Sequence, residues 1–88
     1  MELERTQSFQ RDYKKLPSEI KRRAEQALRF LASNPRHPSL EARIVDKRRR
    51  IWKAKVNGGY RFTFQIERGL IILRRIGAHN VMERPQRW

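Results

Sequence analysis

Apolar side chains recur along this chain with two different periods, and the change from one to the other divides it. Phe9, Tyr13 and Leu16 stand at i, i+4 and i+7, and Ile20, Ala24, Ala27, Leu28 and Leu31 at i, i+4, i+7, i+8 and i+11. That spacing lines one face of a helix. Pro17 stops the first run and fits the first turn of a second helix, which Asn34-Pro35 closes. Ahead of them, Met1 to Thr6 reads as a short strand. The pattern predicts a helical hairpin whose outer faces carry Lys14, Lys15, Lys21, Arg22, Arg23 and Arg29 into solvent. Pro35 to Ser39 then forms a connecting loop, in which His37 is expected to be exposed and without a role.

From Ile44 the period becomes two, broken by the Lys47-Arg48-Arg49-Arg50 turn. A strand sends alternate side chains to opposite faces, so Trp52, Ala54 and Val56 share one face while Lys53 and Lys55 share the other. Tyr60, Phe62, Phe64 and Ile66 join the apolar face, which sets Arg61, Thr63 and Gln65 beside the lysines. Asn57-Gly58-Gly59 and Glu67-Arg68-Gly69 are expected to supply the positive φ angles of two hairpin turns. Leu70 to Ile76 is apolar on both faces apart from Arg74 and Arg75, as a central strand would be. Gly77 to Trp88 is polar and has no clear period, reading as a turn or short helix ending at Pro85. The sum is an α+β two-layer domain, β-α-α followed by an antiparallel meander. One face of the sheet buries the helices and the other presents a cationic surface.

Length and charge narrow the function. Eighty-eight residues predict one domain over positions 1–88 with no room for a large internal cavity, so a site must lie on the surface. With 22 Lys and Arg against 9 Asp and Glu the formal charge is +13, which makes a polyanion, nucleic acid or an acidic protein, the first partner to consider. The absence of cysteine excludes disulfides and thiolate chemistry, and His37 and His79 are too few for a protein-only zinc site. No cofactor and no metal are expected. No run approaches the ~20 apolar residues that span a bilayer, and Glu2 and Glu4 do not open a secretory signal, so a cytoplasmic location without membrane contact is expected.

Several short motifs occur in a telling order. They are Lys15-Leu16-Pro17 opening the second helix, Asn34-Pro35 closing it, Ile-Trp-Lys-Ala-Lys at 51–55, Gly-Tyr-Arg-Phe at 59–62 and Leu-Arg-Arg-Ile-Gly-Ala-His at 73–79. In this order and at this length the chain resembles the RelE/ParE superfamily of toxins of toxin-antitoxin systems. It is most similar to the RelE-type, ribosome-dependent mRNA endonucleases.

The resemblance covers nearly the whole chain and implies a RelE-like fold, with an N-terminal strand and helical hairpin packed on a twisted antiparallel sheet. It also implies a catalytic set of Lys53, Lys55, Arg61 and His79. Where many members carry a base-stacking aromatic, this chain has Met82 and Glu83, and Trp88 is the nearby aromatic that could stand in. Lys47, Arg48, Arg49 and Arg50 are placed to contact RNA phosphates.

Such chemistry uses the 2′-hydroxyl of the RNA as nucleophile and needs a base, an acid and positive charge. Arg61 suits the phosphoryl oxygens, His79 the leaving 5′ oxygen, and Lys53 or Lys55 the base or a phosphate contact. The implied partners are a cognate antitoxin, in a toxin-antitoxin hetero-oligomer, together with mRNA and the ribosome. Two other readings stay open: a ParE-like toxin that inhibits DNA gyrase without cleaving nucleic acid, and a basic RNA-binding protein without catalysis.

Overall fold

A computed structural model describes residues 1–88. Its elements are β1 (Glu2–Arg5), α1 (Gln7–Lys14), α2 (Ser18–Ser33), a single 3-10 turn (Pro38–Leu40), β2 (Arg43–Asp46), β3 (Ile51–Asn57), β4 (Tyr60–Glu67) and β5 (Leu70–Ala78). Two further 3-10 turns follow, Val81–Glu83 and Pro85–Arg87. Thr6 converts the first strand into the first helix: its Oγ1 accepts the Phe9 N–H at 3.2 Å, capping α1, and donates to the Leu73 carbonyl at 2.8 Å. Pro17 stands one position outside α2, at its N-cap.

The five strands lie in the order β1-β5-β4-β3-β2. β2 to β5 form the antiparallel meander that the pattern predicts, and β5 is flanked on both sides. β1 differs, joining β5 in parallel from Glu2↔Leu70 to Arg5↔Leu73 and making the sheet mixed. Two helices separate β1 from the meander, enough chain for the crossover that parallel pairing requires, and no hairpin turn forces the other direction.

Phe9, Leu28, Leu31, Phe62, Phe64, Ile71 and Leu73 are buried between the helices and the inner face of the sheet. Burial of each such side chain is worth about 1.5–3 kcal/mol. Leu73 and Ile76 both belong to this core although they stand three positions apart, which strict alternation forbids. A bulge resolves the conflict. Thr63 pairs with Arg75 and Phe64 with Leu73, so Arg74 is the extra residue and β5 re-enters phase at Ile76.

β1 covers the edge of β5 only as far as Leu73. Beyond it Asp12 of α1 takes the place of a strand, its Oδ2 accepting the Ile76 N–H at 3.1 Å while both carboxylate oxygens accept from Arg75 at 2.7 and 3.0 Å. The hydrogen bonds and charge of Asp12 hold the Arg75 guanidinium above its ordinary pKa, against the opposing effect of burial. An edge that would otherwise invite another chain is thereby closed by a side chain.

The turns depart from expectation at one place. Arg68 and Gly69 have φ of 51° and 80°, the two positive angles of a tight hairpin, but neither Gly58 nor Gly59 lies in that region. A register shift between Lys55 and Asn57 absorbs the geometry, and Asn57 Oδ1 accepts the Gly59 N–H at 2.8 Å. His37 is half-buried rather than exposed. It stacks on Phe30 with centroids 4.1 Å apart, and its Nδ1 accepts the Ser39 N–H.

Replacing Asp12 by Ala removes the acceptor of a strand-edge N–H and leaves a half-buried guanidinium unpaired. Asp12→Ala should lower stability by about 2–3 kcal/mol, measured as a lower urea midpoint at unchanged m-value.

Candidate active site and the segment that covers it

The pairing of three strands sets Lys55 of β3 opposite Arg61 of β4, and Arg61 opposite Gly77 of β5. One step on, Tyr60 pairs with Ala78, and the His79 N–H continues the ladder by donating to the Gly59 carbonyl at 2.8 Å. Lys55, Arg61 and His79 therefore gather at the end of the sheet that carries the β3–β4 turn. Arg61 Nη1 donates to the Asn57 and Tyr60 carbonyls at 2.6 and 3.0 Å, which fixes the guanidinium against its own hairpin and leaves its other N–H groups without a protein partner. Lys55 Nζ reaches Glu41 Oε2 at 3.3 Å. His79 Nε2 lies 3.0 Å from Glu83 Oε1, both side chains about half exposed.

Lys53 does not stand with them on a solvated face. Only 5% of it is exposed, because the Val81–Trp88 segment folds back across the outer face of the sheet. Its ammonium donates to the Met82 carbonyl at 3.2 Å, lies 3.7 Å from Glu83 Oε2 and sits 5.6 Å from the centre of a Trp88 ring. The same carbonyl accepts the Trp88 indole N–H at 2.9 Å. The main-chain oxygen of Trp88 in turn accepts from Arg74 Nε at 2.8 Å and from the hydroxyl of buried Thr63 at 3.2 Å. Ile51 and Met82 are also buried, apart from the main core.

The cationic face that alternation predicts is thus divided in two. Lys55, Arg61 and His79 remain accessible, whereas Lys53 and Thr63 lie beneath the tail. Trp88, far from being a free terminus, is tied down at both its indole and its main chain. Lys47, Arg48 and Arg50 are exposed and make no side-chain hydrogen bond or ion pair, at the opposite end of β3 from Lys55. Arg49 alone of that run is fixed, its Nε donating to Asp46 Oδ2 at 2.7 Å. Hydrogen bonds from the Arg49 backbone and side chain hold the Asp46 carboxyl below its ordinary pKa.

Glu83 and Glu41, which sequence reasoning did not single out, supply the counter-charge. The one signal for this fold-back was the presence of two large apolar residues, Met82 and Trp88, in an otherwise polar segment. The carbonyl that Lys53 and Trp88 share leaves no trace in a sequence.

A family model described as the ParE toxin of type II toxin-antitoxin system, parDE, matches residues 3–81. The chain belongs to the ParE toxin family. Solved structures bear the same fold: the toxin superposes on a YoeB/ParE toxin from Agrobacterium tumefaciens with a TM-score of 0.74 at 15% identity, covering 90% of this chain and 99% of that one. YafQ from E. coli strain BL21(DE3) gives 0.74 at 15% identity over 92% and 96%. The RelB-RelE antitoxin-toxin complex from Methanococcus jannaschii gives 0.72 at 19% identity over 90% and 93%. No curated protein sequence matches. The superfamily resemblance drawn from the motifs therefore stands, and at these identities the structural likeness is one of fold.

The charge of Lys53 fixes where the tail lies, while its bulk, more than its charge, carries stability. Lys53→Met should leave the melting temperature unchanged or raised, since apolar replacement of a buried ion is often neutral or stabilising. Lys53→Ala should cost about 2 kcal/mol, from roughly three buried methylenes at ~0.8 kcal/mol each. Thermal unfolding of the two variants beside wild type makes the comparison.

Proposed function

We propose that this toxin, one partner of a type II toxin-antitoxin pair, is an endoribonuclease that cleaves mRNA on the ribosome without a metal ion and so inhibits translation. The observation that supports this reading most is the meeting of His79, held by Glu83, with Arg61 and Lys55 at one end of the sheet.

The RNA 2′-hydroxyl attacks the adjacent phosphorus and the 5′ oxygen leaves, so one proton must be removed and another supplied. Glu83 fixes the imidazole through Nε2, leaving Nδ1 as the nitrogen that delivers a proton to the leaving oxygen. The unpartnered N–H groups of Arg61 stabilise the charge that builds on the phosphoryl oxygens. Lys55 is the remaining accessible cation and serves as base or phosphate contact once RNA displaces Glu41. Lys53, which the resemblance would place in the catalytic set, acts in this scheme through the tail it anchors, and Trp88 as part of that cover.

The charge of +13 suits docking among rRNA phosphates and an antitoxin that lays an acidic or amphipathic segment over the toxin. The cytoplasm follows from the substrate. Gyrase inhibition without cleavage is the second reading, favoured by the ParE family match; it would leave the His79–Glu83 pair without a chemical task.

Purified toxin added to a cell-free translation reaction should generate new mRNA ends by primer extension, only with ribosomes present and equally with chelator. Arg61→Ala should slow cleavage roughly 10²-fold, the equivalent of about 3 kcal/mol in the barrier. His79→Ala should also slow it while RNA affinity changes little. Intact mRNA together with loss of DNA supercoiling by gyrase would support the second reading instead.

A further inference from the structure

A recess of about 260 Å³ opens between the start of α1, the β2–β3 turn and the C-terminal segment, with Thr6, Ser8, Arg49, Arg74, Arg75 and Trp88 in its wall. No Asp or Glu side chain lines it. Each of its three guanidiniums is held from behind. Arg49 is tied through Nε to Asp46 at 2.7 Å, and Arg75 through Nε and Nη2 to Asp12 at 2.7 and 3.0 Å. Arg74 donates from Nε to the Trp88 main chain at 2.8 Å and from Nη1 to Gln65 Oε1 at 3.0 Å. Gln65 also donates to the Arg49 carbonyl at 2.7 Å, joining two of the arginines. Both terminal nitrogens of Arg49, Nη2 of Arg74 and Nη1 of Arg75 have no protein partner, so each side chain is oriented and still has N–H groups to give.

Arg74 is partly buried and has no Asp or Glu side chain as partner, its Nε donating to the main-chain oxygen of Trp88. Burial, and then the charge of Arg49, push it below its ordinary pKa, against the opposing charge of Asp46. Arg75 also lines a second groove, with Asp12, Lys15, Ala78, Met82 and Arg87, which follows the edge of β5 that Asp12 closes. That groove reaches Ala78, the residue before His79 in the chain. The two depressions share Arg75 as a wall, and Val81, Met82 and Arg87 of the tail form part of the second.

We propose that the recess is a phosphate-binding subsite for single-stranded RNA, with one backbone phosphate held by Arg49, Arg74 and Arg75 and a neighbouring base against the Trp88 indole. The chain then runs along the β5 edge to His79. Guanidinium forks suit the oxygens of a phosphate. The indole gives a base a face to stack on, which the side chains of an aspartate-rich peptide cannot match. The course of the strand toward His79 rests on the ribonuclease reading; the binding of phosphate does not.

The test follows the Arg74 Nε–H and Trp88 indole resonances of 15N-labelled toxin during titration with a 5′-phosphorylated, fully 2′-O-methyl RNA trinucleotide. This probe lacks the attacking hydroxyl and stays intact. Both resonances should shift saturably. Arg74→Gln and, on the exposed turn, Arg49→Gln should each weaken binding roughly tenfold or more, and each should lower the slope of log K against log salt by about 0.7.

Unfolding midpoints identify any variant that has lost its fold, and Arg49→Gln carries the test if Arg74→Gln does. Equal binding by wild type and by the folded variants overturns the subsite. So does an aspartate-rich peptide that moves the same resonances at lower concentration, or inorganic phosphate that binds as tightly as the RNA. Because the probe cannot be cut, a failure to cleave mRNA in translation extracts overturns the nuclease reading and leaves this result intact.

Discussion

The ammonium of Lys53 is the charge around which the outer half of this molecule is arranged. Once covered, it must keep its partners, since an unpaired buried charge costs several kcal/mol. The Met82 carbonyl, Glu83 and the Trp88 ring are those partners. Their positions dictate the course of the Val81–Trp88 segment, because the carbonyl that receives Lys53 also receives the indole N–H, and the main-chain oxygen of Trp88 closes onto Thr63 and Arg74. The same fold-back carries Glu83 to His79. A lysine that resemblance would assign to catalysis thus shapes the site from beneath it.

Acidic side chains are scarce, and their placement has consequences. Of the nine, Asp12, Glu19, Glu25, Glu41, Asp46 and Glu83 are in ion pairs, and only Glu2, Glu4 and Glu67 are not. Asp12 closes a sheet edge, Asp46 pins the β2–β3 turn, and Glu41 and Glu83 pair with Lys55 and His79 of the candidate site. Such pairs are worth little to stability where exposed, so a polyanion can displace Glu41 at small cost, whereas Glu83 also partners the buried Lys53. The arginines of the recess differ, being braced by the protein on one side and open on the other.

Much of the fold was legible because periodicity reports burial directly. The Ala24, Ala27, Leu28 and Leu31 stripe and the alternation from Trp52 to Phe64 each mark a buried face, and both halves of the two-layer domain follow from them. The features that escaped depend on contacts between distant segments. The direction of β1 is set by a crossover, the phase of Ile76 by a bulge at Arg74, and the β3–β4 turn by the Asn57 side chain rather than by glycine φ angles. Alternation assigned Lys53 to the outer face correctly and said nothing of what lies over that face. Lys55, Arg61 and His79 were found as a group because register brings them together; Glu41, Glu83 and the Arg49–Arg74–Arg75 recess come from chain reversals that no local pattern records.

Docking of the C-terminal segment on Lys53 is the feature on which the description of the site stands, and the Trp88 indole reports it. Amide and indole hydrogen exchange with 15N relaxation on the free toxin should show the Trp88 Nε1–H protected and the Val81–Trp88 backbone as ordered as β4. An indole proton that exchanges at the rate of a free side chain, with order parameters typical of a mobile terminus (below about 0.6), would contradict it.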